Sequence, residues 1–290
     1  MPKITFVTAT PYPSITADDA LTAAALAPKN IQVEAAPWDD PSIDWHAFEA
    51  IVLRSCWNYH LHPDAFLQWL QSLPANKLIN PLPAVKWNVH KSYLQDLQKA
   101  GAKIPDTIWI PKGQPIDVVA LLQEKEWSRA VAKPAISATA HQTFHISLSD
   151  VNQWQPRLLQ HLSKADYLLQ PFLHEVQQAG EWSLLFFDKA FSHAVLKKPQ
   201  PNDFRVQNDF GGTTVAAHPP AFVVHKAEEI LASVPYPLPY ARVDGIVSSQ
   251  EFILMELELI EPSLFLAYHA QAAERLAQAL QRKLSMPASA

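Results

Sequence analysis

Two stretches near the carboxyl end carry carboxylates at a spacing that suits cation chemistry. Tyr240 to Ile246 and Ile253 to Ser263 are rich in β-branched and long apolar residues, with Ser248-Ser249-Gln250-Glu251 between them. An antiparallel hairpin is predicted. With the turn centred on Gln250, Asp244 lies opposite Glu256 and Arg242 opposite Glu258. Alternation puts these four on one face and sends Val243, Met255, Leu257 and Leu259 into a core. Glu256 and Glu258 are then roughly 6.5–7 Å apart along the strand, and Asp244 is about 5 Å across from Glu256. Three carboxylates with one arginine among them repel unless a cation sits between them. Hard oxygen donors at that spacing suit Mg²⁺, which takes its other ligands from water and nucleotide phosphates. The plain alternative is a solvated sheet face with an Arg242–Glu258 cross-strand pair.

The elements that must position these acids follow from the rest of the chain. Strands at Ile4–Ala9, Ile31–Ala35 and Ile51–Leu53, with a helix over Ala17–Leu26, predict a parallel wound sheet. Ligands of such sheets sit beyond the carboxyl ends of the strands. Arg54-Ser55-Cys56-Trp57-Asn58-Tyr59-His60 follows the third strand directly. It offers a fixed cation, amide and phenol donors and an aromatic wall, which suit a small carboxylate-bearing substrate. A loop with a packed Trp57 and an incidental Arg54 would read the same way. Cys56 reads as a small buried hydrophobe rather than a nucleophile.

Asn88 is expected to cap a helix running to Ala100 and stopped by Gly101. Lys91 then opposes the dipole in its first turn and calls for an anion. Lys133 is the sole charge in the strand Ala130–Pro134, so it either snorkels out or meets a phosphate. A small-residue loop, Ala135–Thr143, and a strand from Phe144 follow, then a helix from Ser149. Tyr167–Leu173 reads as a strand running into a kinked connection. Glu181–Phe187 and Phe191–Lys198 read as a hairpin with Asp188-Lys189 at its tip. Asp203–Asn208 and Gly211-Gly212 form a polar loop, the glycine pair marking a close backbone approach. Helices are predicted over Ala221–Ser233 and from Ala270 to Leu284, with a frayed tail from Ser285.

At 290 residues the chain can build a large core and two or three lobes. A net charge of −5 with scattered basic residues argues against a nucleic-acid surface. No apolar run reaches the ~18 residues needed to cross a bilayer. The amino terminus enters strand-like sequence with no signal peptide. Cys56 is the only cysteine, which excludes a disulfide framework and fits a cytoplasmic protein. His141 and His145 have helical spacing in strand-like sequence, which does not make a zinc site. Neither common glycine-rich nucleotide motif is present.

The order of signals is more specific than any one of them. Lys91, Lys133, Gln170-Pro171-Phe172-Leu173, Glu181, a basic-rich hairpin, Arg205, Arg242-x-Asp244 and Glu256-x-Glu258 follow in sequence. This resembles the ATP-grasp carboxylate–amine ligases over essentially the whole chain. It is most similar to the group containing the cycloserine-forming O-ureidoserine cyclo-ligase; the glutathione-synthetase and RimK-like ligases are more distant. The closer likeness is carried by Arg54–Tyr59, Gly180–Leu184, Asp203–Gln207 and Met255–Ser263.

The resemblance implies an α/β (α+β) fold with an N-terminal wound lobe over 1–84. Two further lobes, 85–168 and 169–290, would clasp ATP. It implies that Lys91 and Lys133 hold ATP phosphates, that the backbone of Gln170, Pro171, Phe172 and Leu173 meets adenine, that Glu181 holds the ribose, and that Ser137 and Lys197 also bind ATP. It further implies that Asp244, Glu256 and Glu258 hold Mg²⁺ or Mn²⁺. Arg205 and Arg242 would stabilise the transferring phosphoryl group and the tetrahedral intermediate. Arg54, Trp57, Asn58, Tyr59, Gly211, Gly212 and Ser263 would bind a small amino-acid-like substrate.

Glu258 stands where the distant relatives usually carry asparagine. The loop after Lys133, Ala135 to His141, lacks the usual glycines. The implied reaction activates a carboxylate as an acyl phosphate and joins it to an amine, of a second molecule or of the same one, releasing ADP and phosphate. A nucleotide binder without ligase chemistry is the alternative. A homodimer is the default expectation.

Overall fold

The computed structural model describes residues 1–200, 205 and 211–285. Asp203, Phe204, Val206, Gln207 and Asn208 of the expected polar loop, and the tail beyond Ser285, lie outside the described residues.

The first sheet is parallel throughout, in the order β2-β1-β3-β4. Its strands are β1 (Lys3–Thr8), β2 (Gln32–Pro37), β3 (Ala50–Leu53) and the two-residue β4 (Leu78–Ile79), with helices α1 (Ala17–Leu26) and α2 (Pro63–Ser72) between them. Alternation along β1 explains why it is apolar on both sides. Ile4 and Phe6 join Leu26 of α1 in one core, while Val7 joins Phe66 and Leu70 of α2 in another. Thr16 caps α1 by accepting from the Asp19 N–H.

The second sheet is antiparallel, in the order β5-β8-β6-β7. It comprises β5 (Ile108–Ile110), β6 (Arg129–Pro134), β7 (Phe144–Ser147) and β8 (Tyr167–Pro171). Helices α3 (Leu82–Val89) and α4 (Tyr93–Lys99) precede it, and α5 (Val118–Glu124) and α6 (Val151–Leu162) lie within it. The residues of β8 straddle the 168/169 junction expected between lobes, yet pair within this sheet. Ala130 and Ala132 of β6 point into a core with Leu122, Leu158 and Leu162. Val131 and Lys133 point the other way.

Asn88 does not cap a helix running to Ala100. The helix stops at Val89, His90 is extended, and a second helix starts after Ser92. Two bonds explain the break. The Lys91 N–H donates to the Ala135 carbonyl (2.8 Å) instead of continuing the helix. The Asn88 side chain is occupied by the backbone of β13 (Glu251–Glu258), donating to Leu257 O and accepting from the Leu259 N–H. Lys91 therefore sits in the turn between two helices.

The third sheet runs β11-β10-β9-β12-β13, all antiparallel. Its members are β9 (Glu181–Phe187), β10 (Ala190–Lys198), β11 (Thr213–Ala216), β12 (Tyr240–Ser248) and β13. Helices α7 (His174–Gln178), α8 (Ala221–Ser233) and α9 (Ala272–Ser285) complete the chain. Asp188 and Lys189, both left-handed, turn β9 into β10 as expected.

The pairing expected between β12 and β13 is present, Asp244 with Glu256 and Arg242 with Glu258. It arises from two compensating departures. The turn is the two-residue Ser249-Gln250, both with φ near +50 to +60°, which suits a tight hairpin. That alone would misalign the acids by one residue. A bulge at Met255 restores the register, because Gly245 pairs with Leu254. A Cβ at Gly245 would lie 2.3 Å from the Phe252 ring. Val243, Leu257 and Leu259 are buried in the core as expected, but Met255 is partly exposed and lines the cavity described next.

Candidate active site

A cavity of about 440 Å³ lies between the second and third sheets, closed at one end by the loop after β3. Cross-strand rows on the third sheet build its charged floor. Lys197 on β10 faces Glu181 on β9 and pairs with it at 2.6 Å. Ser183 on β9 faces Asp244 on β12 and donates to it at 2.6 Å. Lys197 (3.2 Å) and Arg242 (2.9 Å) also bond the Asp244 carboxylate. Arg242 continues to Glu258 and to the Ser263 carbonyl. From the opposite side, Lys91 reaches Glu256 at 2.6 Å and the Ser137 carbonyl at 3.0 Å.

These charges set each other. Burial alone would raise the Asp244 carboxyl, but Arg242 and Lys197 outweigh it and hold it down at about 2. Burial also opposes the Glu256 charge, yet Lys91 and Lys133 hold that carboxyl below its ordinary value. Glu258 goes the other way. Burial, only partly offset by Arg242, together with the charges of Asp244 and Glu256, pushes it up to about 8. Burial lowers Lys133, and Glu256 partly restores it.

Among the described residues no three acids, histidines or cysteines converge into a ready-made metal cage. Asp244 is fully engaged by Arg242, Lys197 and Ser183. Glu256 and Glu258 keep 30 % and 22 % of their side chains open. Burial and the neighbouring acids together raise Glu258, and a divalent cation would favour its charged form, so the donor set fits one.

The other expected residues divide sharply. Lys91, Lys133, Ser137, Gln170, Pro171, Phe172, Leu173, Glu181, Lys197, Arg205, Arg242 and Ser263 line the cavity, as do Trp57 and Tyr59. The Ser137 hydroxyl turns back to the Pro134 carbonyl (3.1 Å), so its first partner is its own loop. Gln170 is fixed by Thr107 (2.9 Å), and Arg129 lies over the Phe172 ring at 4.3 Å.

Four expectations fail by position. Arg54 is 3 % exposed and braces the fold, donating to Asp19 (2.7 Å) and the Pro262 carbonyl (2.9 Å) over the Tyr240 ring. Asn58 bridges Trp38 (2.6 Å) and Asp39 (2.8 Å) behind the wall. Gly211 and Gly212 are not in the lining, and the close neighbour of Gly211 is the Gln200 side chain. A strand end offers polar side chains to two sides, and the sequence did not say which side faced the ligand.

Several lining residues had no expected role, among them Glu261, Phe265, Tyr93 and Val131. Glu261 carried a usable signal, as the lone charge in the apolar run Leu259–Phe265. Phe265 is left-handed at φ 50° and lies beneath Arg242.

The chain and its fold are similar to known proteins. Residues 4–80 match the family described as D-cycloserine synthetase DcsG, N-terminal domain. The chain is 32 % identical over 275 residues to cycloserine biosynthesis protein DcsG of Streptomyces lavendulae, covering 88 % of this chain and 89 % of that one. The crystal structure of D-cycloserine synthetase DcsG superposes with a TM-score of 0.86 at 27 % identity, over 98 % of this chain and 100 % of that one. D-alanine–D-alanine ligase from Bacillus anthracis, complexed with ATP, superposes with a TM-score of 0.66 at 11 % identity, over 98 % and 97 % of the two chains. That likeness extends the shared fold to the wider ATP-grasp ligases. With its sheets, charged cavity and relatives in agreement, the chain belongs to the DcsG family of ATP-grasp enzymes and is an ATP-dependent carboxylate–amine ligase.

Proposed function

We propose that this ligase activates the carboxylate of a small amino acid of the O-ureidoserine type as an acyl phosphate, and closes a ring onto a nitrogen of the same molecule. The observation that carries this reading is convergence. Lys91 from a helical turn, Lys133 from β6, and Lys197, Arg242 and the acids from the third sheet all face one cavity. The likeness to D-cycloserine synthetase, named for a cyclic product, supports a ring-closing reading.

In this reading the substrate carboxylate attacks the terminal phosphorus of ATP and the bond to ADP breaks. Little covalent chemistry is left to the protein, so positioning and charge neutralisation do most of the work. Lys91, Lys133 and Lys197 neutralise phosphate oxygens, Ser137 and the turn after β6 border them, and Gln170 to Leu173 with Glu181 take the nucleoside. Arg242 and Arg205 face the transferring group. Glu256 and Glu258, with Asp244, would hold Mg²⁺ or Mn²⁺, which supplies further positive charge at the phosphates when bound. Trp57, Tyr59, Ser263 and Phe265 form the substrate end and exclude water. In this division residues 1–84 contribute Trp57 and Tyr59, 85–168 contribute Lys91, Lys133 and Ser137, and 169–290 contribute the nucleoside segment, Lys197, Arg242 and the acids.

The test is ADP release with Mg·ATP and O-ureidoserine, read together with mass spectrometry of the product. Stoichiometric ADP and a ring product are expected. ADP release that is indifferent to the amino acid, or a linear product, would remove the cyclisation reading.

A further inference from the structure

The segment from Leu259 to Phe265 is held by its backbone in an unusual way. Six successive carbonyls each accept from a side chain. Leu259 O accepts from Asn80 (2.8 Å), Ile260 O from Tyr240 (3.1 Å), and Glu261 O from Trp57 at the longer distance of 3.4 Å. Pro262 O accepts from Arg54 (2.9 Å), Ser263 O from Arg242 (3.2 Å), and Leu264 O from the Nε2–H of His193 (3.0 Å). A backbone held at each of these steps fixes the directions in which its side chains leave it, and residues 261, 263 and 265 line the cavity.

Glu261 is the charged member of that set. It is 9 % exposed, and among the described residues no other side chain bonds or pairs with its carboxylate, which accepts from its own backbone N–H. The two cations whose charge acts on it are paired elsewhere, Lys91 to Glu256 and Arg242 to Asp244 and Glu258. A buried carboxylate served by no other side chain is costly, and such a group fits a site where a ligand provides a further donor. Its neighbours along the segment, Ser263 and Phe265, add no second carboxylate for a metal. Burial, together with the negative charge of Glu256, pushes the Glu261 carboxyl up to about 7, which suits a group that exchanges a proton near neutrality.

We infer that Glu261 accepts the N–H of the attacking nitrogen and takes its proton as the C–N bond forms. The inference rests on the ligase reading above. The nitrogen lone pair adds to the acyl carbon, the bond from that carbon to the phosphate oxygen breaks with its electron pair, and the nitrogen proton passes to a Glu261 oxygen. No other reactant is required.

The experiment separates the two half-reactions. Wild type, E261Q and E261D are incubated with Mg·ATP and O-ureidoserine, with and without hydroxylamine, which intercepts the acyl phosphate as a hydroxamate. For E261Q the Mg·ATP thermal shift and hydroxamate yield are expected within about threefold of wild type, while ring product falls at least ~10²-fold, the usual scale for a lost general base. E261D is expected to recover part of the ring closure. Ring formation by E261Q within threefold of wild type would overturn the inference. Equal loss of hydroxamate and ring product in both variants would overturn it too, as would loss of the Mg·ATP shift, which would make Glu261 part of the nucleotide site. Absence of hydroxamate from wild type would instead overturn the substrate reading on which it rests.

Discussion

Arg54 and Arg242 are alike in most respects and differ in one. Each follows or lies in a strand, each is nearly buried, each bonds a carboxylate, and each donates to a carbonyl of the same short segment. Arg54 has its carboxylate, Asp19, on a helix of its own lobe, and nothing of it reaches the cavity. Arg242 stands among several acids, and burial together with the charges of Asp244 and Glu256 leaves Glu258 with a raised affinity for protons. The lesson is that a buried arginine marks a functional site through the imbalance around it. A balanced buried pair braces, whereas an unbalanced cluster waits for a ligand.

The largest effect should come from the unbalanced side. Arg242→Ala is expected to reduce ADP release by about 10³-fold, with circular dichroism close to wild type because Asp244 keeps Lys197 and Ser183. Turnover within tenfold of wild type would erase the distinction. Arg54→Met should act through stability, costing about 3–5 kcal/mol because it strands Asp19. ADP release by the folded fraction should fall far less than in Arg242→Ala, because only the bond to the Pro262 carbonyl is lost near the site. Adding Asp19→Leu should restore much of the stability, as urea titration of the single and double variants would reveal.

Next comes the histidine that pins Leu264. Burial pushes His193 down to about 4, below its unfolded value near 6.5. The unfolded chain then binds the extra proton first, so stability falls as pH drops from about 6.5 to 4, by roughly 3 kcal/mol from this group. His193→Gln keeps an N–H donor and should flatten that part of the slope. An identical slope in the variant would show that protonation of another group governs it. The smallest effect belongs to the exposed Lys103–Glu251 pair. Lys103→Ala should change stability by less than about 1 kcal/mol and leave turnover untouched.

Much of this was legible beforehand. Alternation placed Arg242, Asp244, Glu256 and Glu258 on one face, and the lone charge in Ala130–Pro134 identified Lys133. Illegible features share a cause, in that they depend on contacts far along the chain. The break at His90 contains neither proline nor glycine; it is made by Lys91 bonding to Ala135 and Asn88 to β13. The pairing of the acids was foreseen, but not the Ser249-Gln250 turn and Met255 bulge that produce it. Arg54 and Asn58 were assigned to the substrate because a loop at a strand end has two sides, and only tertiary packing chooses between them.

The pinned segment has a genetic consequence. Asn80, Trp57, Arg54, Tyr240 and His193 are scattered along the chain, and most of them meet no substrate, yet each steadies the same few torsion angles. Lesions at any of them should therefore resemble one another, blurring the aim of Glu261 and Ser263 before the protein unfolds, and pairs of such lesions should compound less than their separate harms suggest.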